Sequence, residues 1–393
     1  MTARIVLKAG KDESVKRLHP WVFSGAVKGV QGSMEHGDWV EVLTSRGEFL
    51  ACGHYQHSGS ITVRILTWEK EEPDVGFWRR KIEAALNRRI VAGIANRPDL
   101  NAWRLVFAEG DQLSGLIIDC YDHHFVVQCH SAGMERSLPL ITEALREVFG
   151  EALKSIAIKA EAGKSDNQLP LAEFPGAGET TGAMITEYGC KYLVNWKTGQ
   201  KTGFFLDQRE NRRLLGNLAK GKKVLNTFCY TGGFSLAALQ GGASLVHSVD
   251  SSAPAIELLR ENLELNGYDP ALHQAFVSDT QQFLKNPPET YDIIILDPPA
   301  YAKHLSARHN AIQGYRRLNA AALQILPPGG LLMTFSCSQV VDRRMFEGAV
   351  MAAALDTGRR VTILQRLVQP ADHPVSLFHP EGEYLKGLLL MAE

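Results

Sequence analysis

Short runs in which apolar and polar residues alternate fill the first part of the chain. Four of them are separated by glycines: IVLKAG (5–10), DWVEVLT (38–44), FLACGHY (49–55) and ITVRIL (61–66). Alternation over four to seven residues with glycine-containing breaks is typical of strands in a small β-barrel or sandwich. The pattern therefore predicts a small β domain over residues 1–70.

Helical and extended patterns mix in the next stretch, and we expect an α+β domain over residues 71–192. Apolar residues recur at helical spacing over 77–96 and share one side of the predicted helix: Phe77, Ile82, Leu86, Ile90 and Ile94. Strand candidates follow at 103–110 and 115–130. A second helix is predicted over 137–149, before a strand at 155–160. Basic residues between 79 and 89 would suit contacts with RNA phosphates, but a solvated helix face explains them equally well.

Strands and helices alternate from residue 193 to the end of the chain. The strands include KKVLNTF (222–228), SLVHSVD (244–250), YDIIILDPP (291–299) and GLLMTFSCS (330–338). Alternating β and α elements with continuously apolar strands favour a parallel sheet covered on both faces. Such doubly wound α/β folds bind ligands at the carboxyl ends of their strands.

Three of these strand ends carry residues that suit a ligand site. NTFCYTGG (226–233) lets a ligand approach the backbone at Gly232-Gly233, although the dinucleotide pattern G-x-G-x-x-G is absent. Asp250 stands where a carboxylate accepts hydrogen bonds from ribose hydroxyls, and Asp279 would accept one from an adenine amino group. Helix capping or simple packing explains each feature about as well.

The sharpest local signal is Asp297-Pro298-Pro299 at the end of the apolar strand YDIIIL. Two prolines cannot continue a central strand, so they turn the chain outward and leave the Asp297 carboxylate at the sheet edge. Cys337 ends the strand that follows in sequence. If these strands are parallel neighbours, Asp297 and Cys337 share one edge of the sheet. A buried, inert thiol is the alternative for Cys337.

Composition narrows the class of protein. The 393 residues carry a net charge of −1, contain no apolar run of membrane-spanning length, and begin with no signal-peptide pattern. The six cysteines are scattered and form no CxxC pair, which favours neither disulfides nor a metal site. We expect two or three domains in a cytoplasmic chain with reduced thiols, no metal and no membrane association.

Several long motifs resemble the bacterial 23S ribosomal RNA cytosine-5 methyltransferases that carry an N-terminal PUA domain. The resemblance covers essentially the whole chain. The motifs are RLHPWVFSGAV (17–27), GQKTGFFLDQRENR (199–212), VLNTFCYTGGFSLAAL (224–239), DPPAYAK (297–303), TFSCS (334–338) and the stretch from ADHPV to EYLKG (371–387). Many relatives have Lys-Phe where this chain has Ala300-Tyr301, a difference that bears on the RNA target more than on the reaction.

The resemblance implies a PUA-like RNA-binding domain over 1–70, a central domain over 71–192, and a class I, Rossmann-like methyltransferase domain over 193–393. The cofactor would be S-adenosylmethionine and the partner large-subunit ribosomal RNA, and a homodimer stays open. Cys337 would attack cytosine C6, and Asp297 would protonate the ring near N3.

The resemblance also assigns binding residues. Those implied for the cofactor are Asp207, Gln208, Asn226, Phe228, Tyr230, Thr231, Gly232, Asp250, Ser251 and Asp279. Those implied for the RNA are Arg17, Trp21, Pro298, Pro299 and Lys303. The stretch 204–209 would close over the cofactor, although Asp207 would also suit the N-cap of a helix. His373 and His379 are interpreted as pocket or structural residues.

Two other functions stay open at this point. An exocyclic-amine methyltransferase acting on adenine or guanine also uses an Asp-Pro-Pro motif, but follows it with an aromatic residue that stacks on the base. Ala300 stands at that position here, with Tyr301 next to it. A non-catalytic RNA-binding protein with a vestigial methyltransferase fold is the third reading, and lack of S-adenosylmethionine binding would support it.

Overall fold

A computed structural model describes residues 3–159 and 180–393. Within those residues the chain forms two compact units, each assembled from separated segments. The first unit comprises the described residues of Met1–Ile185, together with Val194–Leu206 and Ala371–Gly382. The second comprises Thr186–Leu193, Asp207–Pro370 and Glu383–Glu393.

The first unit begins with strands in the places that the alternating pattern predicts. The elements here are β1 (Ala3–Leu7), α1 (Glu13–Lys16), β2 (Trp21–Phe23), β3 (Val27–Gln31), β4 (Trp39–Leu43), β5 (Phe49–Tyr55) and β6 (Ile61–Thr67). In the described chain they form a six-stranded sheet of order β2-β6-β5-β4-β1-β3. Alternate residues such as Ile5, Leu7, Val40 and Val42 point into one apolar core. The short strands β2 and β3 were not predicted from the sequence pattern.

A second sheet follows, with two helices. The elements are α2 (Val75–Val91), β7 (Ala102–Phe107), β8 (Leu116–Tyr121), β9 (His124–Cys129), α3 (Ala132–Phe149) and β10 (Ser155–Ile158). The sheet order among the described strands is β10-β9-β8-β7. The single strand predicted over 115–130 is wrong. Asp122 and His123 both adopt positive φ angles, 51° and 64°, and turn the chain into the antiparallel hairpin β8–β9.

Helix α2 packs Phe77 and Ile82 into the core as its spacing predicts, and Trp78, which the spacing did not mark, is buried with them. Two of its residues contradict the predicted faces. Ile90 is 43% exposed, whereas the guanidinium of Arg89 is fully buried.

Arg89 donates to both carboxylate oxygens of Asp111, at 2.5 and 2.7 Å, and to the carbonyl oxygens of Arg104 and Asp372. A buried cation with these partners is part of the core. This placement removes Arg89 from the basic run that would contact RNA.

The segment after residue 180 contains two strands that the sequence pattern did not predict, followed by a helix at the place where Asp207 was a candidate N-cap. These are β11 (Gly182–Glu187), β12 (Cys190–Asn195) and α4 (Arg209–Leu218). Glu187 and Arg212 form a buried bidentate ion pair at 2.6 and 2.7 Å, which fixes the end of β11 to α4.

The second unit alternates strands and helices almost as predicted. Its elements from residue 223 are β13 (Lys223–Thr227), α5 (Gly233–Gln240), β14 (Leu245–Asp250), α6 (Ala253–Leu265), β15 (His273–Val277), α7 (Thr280–Phe283), β16 (Ile293–Leu296), α8 (Arg308–Ile325), β17 (Leu331–Ser336), α9 (Arg343–Asp356), β18 (Val361–Leu367) and β19 (Lys386–Ala392). Among the described residues they build a seven-stranded sheet of order β15-β14-β13-β16-β17-β19-β18.

Strands β13 to β17 run parallel, and β19 is antiparallel to both of its neighbours. The predicted adjacency of the Asp297 and Cys337 strands is confirmed, since β16 pairs with β17 and Leu296 lies opposite Thr334. The strand order reverses at β13, and doubly wound sheets bind ligands at such a switch point.

Both faces of this sheet are covered. On β16, Ile294 and Leu296 belong to the apolar core that contains α8 and α9, whereas Ile293 and Ile295 belong to the core that contains α5. Burial on both faces explains why YDIIIL is continuously apolar instead of alternating. As for the membrane, none of the helices among the described residues is both long and apolar enough to span one.

Candidate functional site

The loop that joins β13 to α5 has an unusual backbone. Phe228, Tyr230 and Gly232 have φ angles of 53°, 47° and 87°. A Cβ atom on Gly232 would lie 2.8 Å from Leu259 Cδ1, so glycine is needed there for space as well as for conformation. Non-glycine residues in the left-handed region are found most often at functional sites. The loop lies at the switch point, where a ligand is expected.

Asp250 ends β14 and fixes this loop. Its Oδ2 accepts a hydrogen bond from the Tyr230 backbone N–H, and its Oδ1 accepts one from the Ser252 N–H, both at 2.9 Å. Ser252, not Asp250, caps α6. Each carboxylate oxygen has a second lone pair, so these bonds leave Asp250 able to accept from a ligand. The neighbouring Ser251 is exposed.

Asp279 has the alternative role that the sequence allowed. Its side chain accepts from the Gln282 backbone N–H at 3.0 Å and caps α7. The carboxylate is exposed at the end of β15, so capping does not bury it.

The interior of the loop is held by buried amides. Asn226 Nδ2 donates to Ser235 Oγ at 2.8 Å, and the Thr231 carbonyl accepts from Asn262 Nδ2 at 3.0 Å. Asn226 Oδ1 is buried and accepts no hydrogen bond from the described residues. A buried acceptor beside a strained loop and the Asp250 carboxylate fits a ligand rich in N–H and O–H donors.

Two amide side chains hold the turn after β16 through consecutive hydrogen bonds. Gln208 Nε2 donates to Asp297 Oδ1 at 3.0 Å, and Gln208 Oε1 accepts from Asn211 Nδ2 at 2.6 Å. Gln208, expected at the cofactor, is therefore bonded to the proposed acid. Pro298 is buried, and Pro299 is exposed.

Asp207 does not cap α4, since Gln208 occupies the N-cap position. Its Oδ2 instead accepts from the Tyr384 hydroxyl at 2.5 Å.

Cys337 lies against the same turn. Its Sγ is 3.9 Å from the carbonyl oxygen of Pro298. All six cysteines are in the described part of the chain, and Cys337 alone among them is not buried. An accessible thiol beside a carboxylate-bearing strand end differs from the inert buried thiol of the alternative reading.

Ser338 ties together the elements around Cys337. Its Oγ accepts from the Ala302 N–H at 3.3 Å and shares a hydrogen bond of 2.9 Å with the Tyr315 hydroxyl. Its carbonyl oxygen accepts from Lys386 Nζ at 2.8 Å. The residue after Cys337 is thus fixed by the turn, by α8 and by β19.

Lys386 is the residue that sequence reasoning missed. It begins β19, is 4% exposed, and lies opposite Ser336 in the antiparallel register. Burial lowers the pKa of its ammonium group to about 8, and the nearby Cys337 opposes that shift. The signal in the sequence was a lysine at the start of the apolar run KGLLLMA, where a charge is unusual.

Tyr301 does not present its ring as the exocyclic-amine reading requires. The ring packs on Gly314, where an added Cβ would lie 2.9 Å from Tyr301 Cδ2, and its centroid is 4.7 Å from that of Tyr315. A ring packed on α8 in this way has one face occupied by protein.

The RNA candidates of the first unit lie in or near an aromatic cluster. Trp21 contacts His379 at a ring-centroid distance of 4.4 Å, and its indole N–H donates to Glu109 Oε1 at 2.9 Å. Arg17 is exposed, and so is Lys303 in the second unit.

The two histidines of the 371–387 motif are buried. His379 packs on Trp21, and His373 hydrogen-bonds with Asp372 Oδ1 at 3.1 Å. No group of three or more His, Cys, Asp or Glu residues suited to a metal ion occurs in the part of the chain that is described.

Comparisons with known proteins bear on the family and the fold of the chain. Residues 174–376 match the model of the S-adenosylmethionine-dependent methyltransferase family, and residues 5–68 match that of the PUA-like domain. The chain belongs to the S-adenosylmethionine-dependent methyltransferases. It therefore has a class I methyltransferase fold with an N-terminal PUA-like domain, and its cofactor is S-adenosylmethionine.

Individual relatives cover the whole chain. It is 41% identical over 402 residues to the ribosomal RNA large subunit methyltransferase I of Aeromonas hydrophila, and the alignment covers 100% of both. A structure from Streptococcus mutans, assigned as a SAM-dependent methyltransferase, aligns over 100% of both chains with a TM-score of 0.84 and 25% identity. Another structure assigned as a methyltransferase, in complex with SAH, has a TM-score of 0.86 at 25% identity, again over 100% of both chains.

Proposed function

We propose that this methyltransferase transfers a methyl group to C5 of a cytosine in large-subunit ribosomal RNA, through a covalent bond between Cys337 and C6. The observation that carries the proposal is the approach of Cys337 Sγ to Pro298, 3.9 Å from its carbonyl oxygen, beside Asp297. The name of the Aeromonas hydrophila relative supports the RNA class. A methyltransferase acting on an exocyclic amine needs no thiol at this place.

The residues around the β13–α5 loop would hold the cofactor. Tyr230, Thr231 and Gly232 offer backbone groups at the helix N-terminus, Asp250 offers acceptors for ribose hydroxyls, and Asp279 would meet the adenine. Asn226, Phe228, Ser251 and Asp207 complete the proposed set. Gln208, which the family resemblance also implies for the cofactor, is assigned to Asp297 instead because its amide is bonded to that carboxyl group. Bound S-adenosylmethionine supplies a methyl group activated by a positive sulfonium.

Cytosine C5 is a weak nucleophile, and Cys337 would change that. Its thiolate adds to C6, and the electrons of the C5–C6 double bond become available for C5 to bond with the methyl carbon. Loss of the C5 proton then returns the electrons and expels Cys337. Covalent catalysis of this kind divides one difficult step into two easier ones. In this scheme the C5 proton passes to water.

Asp297 would supply the proton that the ring needs during attack. Addition at C6 increases the negative charge near N3, and a carboxylic acid placed there stabilises the adduct by donating a proton. The Gln208 amide, bonded to Asp297 Oδ1, would hold the carboxyl group in a fixed orientation. Pro298, Pro299 and Lys303 would contact the base or the adjoining RNA.

RNA recognition beyond the target base would use the PUA-like domain. Exposed Arg17 offers charge for phosphate contacts, and the partly exposed aromatic cluster at Trp21 and Phe23 offers surface for base stacking. Because the indole N–H of Trp21 already binds Glu109, its contribution to RNA would come from the ring.

A trapping experiment tests the nucleophile. The full chain is incubated with S-adenosylmethionine and large-subunit rRNA containing 5-fluorocytidine, and covalent complexes are counted on a denaturing gel. Fluorine at C5 prevents the final elimination, so wild type should accumulate a complex that survives denaturation. Cys337→Ala should form none, whereas Cys129→Ala, which removes a buried thiol of the first unit, should behave as wild type.

Three other results would contradict the proposal, each in a different way. An equal complex with Cys337→Ala would remove Cys337 from the reaction. Methylation without any complex, with the methyl group on an adenine or guanine amine, would favour the exocyclic-amine reading. Failure of the wild-type chain to bind S-adenosylmethionine by calorimetry would contradict its family assignment.

A further inference from the structure

The buried ammonium group of Lys386 lies at the strand end that carries the proposed nucleophile. Lys386 begins β19, which pairs antiparallel with β17, and its side chain is covered by protein. Its ammonium group donates to the carbonyl oxygen of Ser338, the residue that follows Cys337, at 2.8 Å. The ammonium group is thus bonded to the strand end that carries the Cys337 thiol, and its side chain is shielded from solvent.

Burying an ammonium group without a carboxylate bound to it is costly, and structural lysines rarely do so. The hydrogen-bond partner of Lys386 among the described residues is a neutral carbonyl. The charged groups that act on it electrostatically are Cys337, Asp342, Arg343 and Glu383. Arg343 is already bonded to Glu383, at 2.7 Å.

We propose that the ammonium group of Lys386 stabilises the thiolate of Cys337 and makes Lys386 a positioning residue for the nucleophile. The inference rests on the proposed function, because it takes Cys337 as the attacking group. An opposite charge a few ångströms from an ionisable group favours its charged form by one to three pKa units. When the thiol ionises, its proton goes to solvent, and the thiolate then attacks C6.

The arrangement also explains how a charged lysine side chain can be buried at this position. Burial alone lowers the pKa of its ammonium group toward the working range, and a thiolate next to it raises that pKa again. Each charge therefore stabilises the other. The Tyr315 hydroxyl bonds with Ser338, and burial above all, with the charge of Cys337 as a smaller cause, raises the pKa of that hydroxyl, so ionised Tyr315 does not compete for the lysine.

Alkylation of the thiol tests this without RNA or methyl transfer. The full chain is treated with iodoacetamide between pH 6 and 9.5, and modification of the Cys337 peptide is followed by mass spectrometry. The other five cysteines are buried and react slowly. In Lys386→Met we expect the rate at pH 7 to fall about tenfold or more, since one pKa unit changes the thiolate fraction tenfold.

Matched variants separate charge from hydrogen bonding. Lys386→Arg keeps the charge and should stay within about threefold of wild type. Lys386→Gln keeps a donor for Ser338 without charge and should be as slow as Lys386→Met. Lys285→Met changes an exposed lysine bonded to Gln282 and should leave the rate unchanged. If Lys386→Met fails to fold, the Arg and Gln pair still decides the question.

Equal alkylation rates in wild type and Lys386→Gln at every pH would overturn the inference. That result says nothing about adduct formation with 5-fluorocytidine, which tests the proposed function by itself. Conversely, a Lys386-dependent thiol that never forms the RNA adduct would keep the inference about the thiolate and remove the cytosine-C5 reaction.

Discussion

The amide of Gln208 connects two polar side chains beside the sheet edge. Asn211 donates to its oxygen and its nitrogen donates to Asp297, so the amide cannot rotate without losing both bonds. Because Gln208 is buried, the lost bonds would not be replaced by water. The orientation of the Asp297 carboxyl group thus depends on a residue of another element, the N-cap of α4.

We expect Gln208→Leu to lower kcat for RNA methylation by about 10- to 100-fold, the effect of losing one hydrogen bond to a charged or reacting group. The affinity for SAH, measured by calorimetry, should change by less than about threefold. Asp297→Asn should show the same separation of kcat from cofactor affinity.

Asn211→Ala serves as the graded comparison, because it frees the Gln208 amide without removing it. Its kcat should fall in the same direction but less. A Gln208→Leu enzyme that no longer binds SAH would instead favour the direct cofactor contact that the family resemblance implies.

Residues that end parallel strands could be predicted, because the strand pattern alone brings Asp250, Asp297 and Cys337 to one edge. Lys386 could not be found in this way. Its approach to Cys337 depends on the antiparallel register of β19 against β17, and no local pattern sets that register. Gln208 is the N-cap residue of α4 but makes no side-chain cap hydrogen bond, so no capping pattern in the sequence indicates what its amide contacts.

Among the elements, the β13–α5 loop depends most on one residue. Gly232→Ala should destabilise the second unit by about 2–3 kcal/mol, from the left-handed backbone together with the close approach of Leu259. Urea unfolding monitored by fluorescence would measure the change. SAH affinity should fall as well, because the loop conformation forms the proposed cofactor site.

Gly267→Ala isolates the backbone contribution. Gly267 has a φ of +66°, but an added Cβ would meet nothing within 4 Å. Gly267→Ala should lower the free energy of unfolding by about 1 kcal/mol and leave SAH affinity unchanged. Equal destabilisation of the two variants would mean that contact with Leu259 contributes nothing.

Helix α2 provides a test of its basic residues. Arg89→Met should destabilise the first unit by about 3–5 kcal/mol, since it leaves the Asp111 carboxylate buried without its bidentate partner. Arg80→Met removes an exposed pair with Glu71 and should change stability by at most about 1 kcal/mol. Thermal unfolding measures both. A stable Arg89→Met protein that merely binds RNA more weakly would restore the phosphate-contact reading.

The alternation of elements was predictable in the second unit because its buried strands are short, apolar and separated by helices of clear periodicity. The hairpin β8–β9 was not, since its turn uses Asp122 and His123 in the left-handed region without the glycine that normally marks such a turn. The faces of α2 were misassigned for a related reason. Arg89 can enter the core only because Asp111 and Asp372 lie there, and they are distant in sequence.

For the molecule as a whole, buried neutral histidines predict sensitivity to acid. Burial lowers the pKa of His54 to about 3 and that of His273 to about 4. An unfolded histidine has a pKa near 6.5. As pH falls below about 6.5, the unfolded chain takes up protons that the folded chain does not, so the free energy of unfolding decreases toward pH 3.

Replacing His54 should reduce this sensitivity. At pH 5 the proton uptake by an unfolded His54 destabilises the fold by about 2 kcal/mol relative to pH 7. His54→Gln should therefore show a smaller decrease in Tm between pH 7 and 5 than wild type does. His309→Gln, at an exposed position of α8, should keep the wild-type slope. Identical slopes in all three proteins would contradict the burial argument.

The position of β19 has a consequence for the order in which the strands of the sheet can pair. It is the last strand in sequence, yet it lies inside the sheet, between β17 and β18. In any order of folding, β17 and β18 therefore lack a partner on their facing edges until Lys386–Ala392 enters between them. The folding chain exposes an unsatisfied strand edge until then. The bond from Lys386 to the carbonyl oxygen of Ser338 forms only at that moment, so the proposed stabilisation of the Cys337 thiolate depends on completion of the sheet.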